Sequence, residues 1–127
     1  MKGIGVDIVQ MTRFQKEEKQ TQKLANRILT PNELEMFGKK KEKNLQLAQR
    51  YLAKRFAAKE AASKALGTGI AKGVTFQDFE VSNDEFGAPH MTFTGQALMS
   101  FNKKGCREIN ISISDEKDFA VAFVVID

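Results

Sequence analysis

The stretch from Lys43 to Leu66 contains no proline or glycine and is dominated by Ala, Leu, Lys, Arg, Gln and Glu, the strongest helix formers. It predicts one long helix, the longest in the chain. Within it Ala48, Leu52 and Phe56, then Ala58, Ala61, Ala62, Ala65 and Leu66, recur at three- and four-residue steps and make an apolar stripe. The alanines permit close approach of another element. Gly67-Thr68-Gly69 ends the helix, with Gly67 suited to a left-handed cap.

The elements around this helix are short, and the second half reads mainly as strand. Lys2–Val9 is a predicted strand with Ile4, Val6 and Ile8 on one face and Gly3, Gly5, Asp7 and Val9 on the other. Residues 11–29 are polar and helix-compatible. Thr30-Pro31-Asn32-Glu33 predicts a sharp helix start with a capping box, running to about Phe37 and stopping at Gly38, with Lys39–Lys43 as an exposed linker. Val74–Asn83 and Pro89–Phe93 read as strands around an Asp84–Gly87 turn, and Thr94–Lys104 as a short helix closed by Gly105. Ile109, Ile111 and Ile113 alternate with Asn110, Ser112 and Ser114, and Phe119–Ile126 is apolar almost throughout, which predicts burial on both faces. The class is α+β: a long helix packed on a mostly antiparallel sheet, in a single domain spanning residues 1–127, since 127 residues suffice for one core.

Composition narrows the chemistry. Cys106 and His90 are the only cysteine and histidine, which excludes an intrachain disulfide and a Cys/His zinc site within one chain. Cys106 reads as structural and His90 as a surface imidazole. No apolar run approaches the ~20 residues of a membrane span, and an acid interrupts the short apolar start, so no signal peptide is expected and the cytoplasm is the expected compartment. Charge is split: residues 1–64 hold 15 basic and 7 acidic residues, net +8, whereas residues 65–127 hold 5 and 9, net −4. The basic first half suits an anionic partner or a solvated helical surface.

Three side chains stand out. Glu60 and Lys64 are four apart on one helix face, either as a surface ion pair or as a carboxylate that holds a hard cation beside an ammonium that neutralises phosphate. Asp7, in an apolar strand, is costly unless paired or ligating. The glycines beside it leave room for an ion or ligand, or mark a bulge.

Together these segments form a pattern. Gly3-Ile4-Gly5-Val6-Asp7-Ile8, Arg27-Ile28-Leu29-Thr30 with Glu33, Arg55 through Gly69 with its Lys59-Glu60-Ala61-Ala62-Ser63-Lys64 core, and Ile111-Ser112-Ile113-Ser114 occur in order over essentially the whole chain. The chain resembles the holo-acyl-carrier-protein synthase family, the small bacterial phosphopantetheinyl transferases. The resemblance implies transfer of 4′-phosphopantetheine from coenzyme A to a serine of apo acyl carrier protein, in fatty acid biosynthesis, with release of adenosine 3′,5′-bisphosphate. It implies magnesium, and a homotrimer with active sites between subunits. By the same resemblance Asp7 and Glu60 are the magnesium ligands, and Glu60 and Lys64 the catalytic pair. Arg55, Lys64 and the Gly67-Thr68-Gly69 loop contact coenzyme A, and Arg13, Lys23 and Arg27 dock the acidic carrier. Gln20 stands where some relatives carry a cation.

The chemistry suits those residue types. A phosphoryl centre repels nucleophiles until its charge is neutralised, and magnesium takes one or two carboxylates plus water and phosphate. Either metal-bound hydroxide or Glu60 could serve as the serine's base. One position departs from the pattern: relatives commonly have histidine where this chain has Asp115, which would repel a coenzyme A phosphate unless a cation intervenes. The imidazole, presented across a subunit boundary, is then replaced by another group or dispensable. Two other readings compete: a noncatalytic module binding anions or nucleic acid, and a pseudoenzyme that binds the carrier without reacting. Few aromatics interleave the basic residues, which argues against nucleic acid.

Overall fold

Asn44 caps the long helix: its side chain accepts from the Leu47 N–H at 2.8 Å. In this computed structural model, which describes residues 1–127, the helix α3 (Leu45–Leu66) ends at Gly67 with φ 82°. Before it come β1 (Gly3–Gln10), a 3₁₀ turn at Met11–Phe14, α1 (Glu18–Ile28) and α2 (Pro31–Lys43). After it come a 3₁₀ turn at Phe76–Asp78, β2 (Phe79–Asn83), β3 (Pro89–Phe93), α4 (Gly95–Lys103), β4 (Ile109–Asp115) and β5 (Phe119–Ile126).

The strands form two antiparallel sheets, β1-β5-β4 and the β2-β3 hairpin. Helix α3 lies across β1 and β5. Its alanines, from Ala48 to Ala65, are buried there against Val9, Ala120, Ala122, Val124 and Ile126. The β1–β5 register runs unbroken from Gly3 opposite Ile126 to Gln10 opposite Phe119. Asp7 therefore marks no bulge.

Three expectations need correction. Phe119–Ile126 is covered on one face only: Phe119 and Phe123 remain 44% and 42% exposed, because one helix layer covers one side of the sheet. On that outer face Phe123 lies opposite Val6, Val121 opposite Ile8 and Phe119 opposite Gln10 of β1. The lysine run is not a linker: α2 continues through Gly38 to Lys43. Its lysines have partners, Lys39 with Glu35, Lys41 with Glu18 and Gln22, and Lys40 over the Tyr51 ring, and cations suit a helix C-terminus. Residues 74–78 are not strand: the Thr75 hydroxyl donates to Asp78 Oδ1 at 3.1 Å and closes a turn.

The capping box at Thr30 and Glu33 forms as expected. No helix is long and apolar enough to cross a membrane.

Candidate active site

Gly3 and Gly5 lie on the face of β1 that meets α3. A Cβ on Gly5 would fall 1.9 Å from the Ala61 carbonyl oxygen, and one on Gly3 2.1 Å from that of Ala65. The space at Gly3 and Gly5 is thus taken by the helix backbone. This close approach brings the Lys64 ammonium 3.1 Å from Asp7 Oδ1 and 3.0 Å from the Val6 carbonyl. Lys64 makes its ion pair with Asp7, 57 residues away, and none with Glu60 one turn back.

Glu60 belongs to the same cluster. Burial raises its carboxyl pKa above the ordinary value, and the Asp7 charge raises it further; Lys64 and Arg13 oppose the shift. Asp7 Oδ2 is buried and has no hydrogen-bond partner. Asp7, one of whose oxygens has no hydrogen-bond partner, and Glu60 beside it form a donor set that fits a hard divalent cation, with Oδ1 the Asp7 oxygen on the open side. No third His, Cys, Asp or Glu joins them, so a cation here would complete its shell with water or substrate oxygens.

The Gly67-Thr68-Gly69 loop folds back onto the end of α3. Gly67 N–H donates to the Lys64 carbonyl at 3.0 Å, and the Thr68 and Gly69 N–H groups donate to that of Ser63 at 3.2 and 3.1 Å. The loop therefore sits directly beyond Lys64. Nothing lies within 4 Å of the Cβ positions of Gly67 and Gly69.

Arg55 points elsewhere. It precedes Glu60 by five residues, about 140° around the helix. Its guanidinium lies 4.5 Å from the Tyr51 ring centroid and donates to Asn83 Oδ1 at 2.7 Å, while its Nε is buried without a partner. With Lys40, Lys54, Glu80 and Asn83 it lines a cavity of about 510 Å³. Asp115 is not an unpaired charge: Arg50 holds it at 2.7 Å and Lys54 stands at 3.9 Å, so the intervening cation comes from α3 of the same chain.

Arg13, Lys23 and Arg27, the residues expected to dock a carrier, fall on one region. Lys23 and Arg27 share one cleft with Lys16, and Lys16 shares the next with Arg13 and Phe56. The Arg13 guanidinium sits 5.4 Å from the Phe56 ring centroid. His90 is exposed and meets Asp84 Oδ2 at 3.0 Å, and Cys106 is buried.

Sequence reasoning missed the buried pair at the centre. Lys59 is fully buried and donates to Glu33 Oε1 at 2.5 Å and to the Ile28 carbonyl at 2.8 Å. Its position between Ala58 and Ala62, inside the apolar stripe, was the available signal. Lys16 and Lys54 were also missed. Each was one exposed-looking cation among many.

An antiparallel sheet crossed by one long helix, with an acidic pair and a lysine where helix and first strand touch, defines an α+β domain suited to binding a cation and an anion together. The family model for the 4′-phosphopantetheinyl transferase superfamily (ACPS) matches residues 3–124, and the chain belongs to that family. It is 51% identical over 126 residues to the holo-[acyl-carrier-protein] synthase of Vibrio campbellii, covering 98% of this chain and 96% of that one. It is similar in structure to the holo-[acyl-carrier-protein] synthase of Neisseria meningitidis, with TM-score 0.83, 41% identity, and 100% and 98% of the two chains covered. It is also similar to the synthase of Bacillus anthracis solved in complex with CoA (3′,5′-ADP), with TM-score 0.78, 41% identity, and 98% and 95% covered.

Proposed function

We propose that this chain is a holo-acyl-carrier-protein synthase that works with magnesium in the cytoplasm, in fatty acid biosynthesis. It moves 4′-phosphopantetheine from coenzyme A to a serine of apo acyl carrier protein. The serine oxygen forms a bond to the phosphorus nearest pantetheine, the diphosphate bond breaks, and adenosine 3′,5′-bisphosphate leaves. The observation that carries this reading is the convergence of Asp7, Glu60 and Lys64 from β1 and α3, in a chain matched to the family over residues 3–124. A noncatalytic anion- or carrier-binding module gives no reason to hold two carboxylates together.

Asp7 and Glu60 would hold the ion, which when bound neutralises the diphosphate charge. Lys64 supplies a flexible cation for the charge that develops on the leaving phosphate. Glu60 is the group of this chain that we assign to take the serine proton. Arg55, with Lys54 and Lys40 around its cavity, suits the phosphates of coenzyme A, and the backbone of Gly67-Thr68-Gly69 suits close approach by the substrate. Arg13, Lys23 and Arg27, joined by Lys16, offer the acidic carrier a cationic face that steers encounter.

The working form is a homotrimer with active sites between subunits. Two observations support it. The outer face of β1 and β5 exposes Ile4, Val6, Ile8, Phe119 and Phe123, between 42% and 62% each, a contiguous apolar patch of the kind that marks an interface. And Arg55 leaves α3 on a different side from Glu60, so one chain alone does not place its cavity and its acid pair in one site. Incubating the protein with magnesium, coenzyme A and a bacterial apo carrier, then weighing the carrier by mass spectrometry, tests the activity. The phosphopantetheine increment is expected, and an unchanged carrier mass contradicts the reading.

A further inference from the structure

Every oxygen of Asp7 is already spoken for or shut away. Oδ2 is buried, and Oδ1 accepts from the Lys64 ammonium at 3.1 Å. The same ammonium is steadied by the Val6 carbonyl at 3.0 Å. Lys64 reaches this position from the more open side, its side chain 51% exposed against 16% for Asp7. Glu60, by contrast, makes no ion pair and stands with a carboxyl that burial and Asp7 disfavour in its charged form.

A divalent cation that uses Asp7 must approach the oxygen that Lys64 holds. An ammonium and a hard dication cannot both sit tightly on it, because an ion contacts a carboxylate oxygen at about 2.0–2.1 Å and the two positive charges would lie within a few ångströms in a partly dehydrated cleft. The ion has the larger charge and gains Glu60 as a second ligand. Lysine has a long flexible stem and can relocate its charge without moving the backbone.

We propose that Lys64 and the divalent cation compete for Oδ1 of Asp7, so that loading the ion releases the lysine ammonium toward the substrate's phosphates. Lys64 then has two consecutive partners. It neutralises Asp7 before the ion arrives and the diphosphate afterwards, and metal loading is what deploys it. This rests on the reading of Asp7 and Glu60 as ligands, and extends it to the order in which the charges move.

The test is direct ion binding with Mn²⁺ alone, read from loss of the free-ion electron paramagnetic resonance signal. Wild type, Lys64→Met, Lys64→Gln, Arg13→Met and Asp7→Asn are compared, each checked for folding by circular dichroism. Arg13 is the control cation: its charge acts on Glu60 but it makes no ion pair with Asp7. Competition predicts that Lys64→Met and Lys64→Gln each bind Mn²⁺ about tenfold more tightly than wild type, and that Arg13→Met changes affinity by no more than about twofold. Two further results are expected: Asp7→Asn weakens binding, and added Mn²⁺ raises the melting temperature of Lys64→Met more than that of wild type, because no internal ion pair is lost in exchange. Mn²⁺ affinity in the Lys64 variants that is unchanged, weaker, or raised no more than in Arg13→Met overturns the competition while leaving the ligands standing. Binding that survives Asp7→Asn undiminished overturns both.

Discussion

Lys59 Nζ lies 2.5 Å from Glu33 Oε1, with both side chains buried. Glu33 also accepts from the Thr30 N–H and, through Oε2, from the Val81 N–H at 2.8 Å. One carboxylate thus joins the start of α2, the middle of α3 and strand β2, and Lys59 adds the end of α1 through Ile28. Burial lowers the Lys59 pKa and the Glu33 charge opposes it. The pair fixes the rotation of α3 one residue before Glu60.

Breaking a buried pair leaves an uncompensated charge. Lys59→Met or Glu33→Gln alone should cost about 3–5 kcal/mol. The double variant, with neither charge, should recover more than about 1 kcal/mol of the worse single loss. Urea unfolding measures all three, and strictly additive losses would show that the two groups do not act as a pair.

Two glycines should respond with opposite signs. Gly5→Ala drives a Cβ to 1.9 Å from the Ala61 carbonyl oxygen, so α3 must retreat from β1. A loss of about 1–3 kcal/mol is expected, with a larger fractional loss of transfer rate as Asp7 and Lys64 separate. Gly38 lies inside α2 with nothing within 4 Å of its Cβ position. Gly38→Ala should stabilise by about 0.5–1 kcal/mol. Melting curves of both variants settle the contrast.

Much of this framework was legible because it is local. The long helix, its Gly67 cap, the Thr30–Glu33 capping box and the alternation of β1 and β4 each depend on residues within a turn or two. What failed depends on distant partners. Lys39–Lys43 reads as a linker until Glu18, Gln22 and Tyr51 are there to receive the lysines. Val74–Asp78 has strand composition, yet Asp78 turns the chain by accepting from Thr75 and from the Ala97 N–H of α4. The Glu60–Lys64 spacing suggested a pair within the helix, but tertiary packing gave Lys64 to Asp7. Phe119–Ile126 looked buried on both faces because its outer side chains are apolar, yet only one face has a helix over it.

The β2–β3 turn gives an acid-side signature. Asp84 accepts from His90 and from the Ala88 and Phe86 N–H groups, and these bonds, led by His90, hold its carboxyl below the usual aspartate range. A depressed carboxyl pKa contributes stability that is present above the unfolded value of about 3.9 and lost as pH falls through the lower folded one. Asp84→Asn should therefore flatten the loss of thermal stability on the acid side of pH 4, and His90→Ala should flatten it in part. An acid limb unchanged in Asp84→Asn would contradict the assignment. The turn matters to the cavity because Asn83 bonds both the Gly87 carbonyl and Arg55.

If Arg55 serves an acid pair in a neighbouring subunit, two inactive variants should complement. Asp7→Asn and Arg55→Ala are each expected to be inactive, whereas co-expressed chains assemble some sites with intact Asp7 and intact Arg55. Transfer activity should reappear in the mixture at well above about tenfold the activity of either variant alone. A mixture no more active than its components would place both residues in one subunit's site.

Kinetics of Asp7→Asn, Glu60→Gln and the double variant bear most directly on the shared cation. If both carboxylates serve one ion, each single change should lower kcat/KM by about 10³-fold or more, and the double should fall no further than about tenfold beyond the worse single. Either single variant retaining a rate within about tenfold of wild type, or losses that multiply in full, would contradict it.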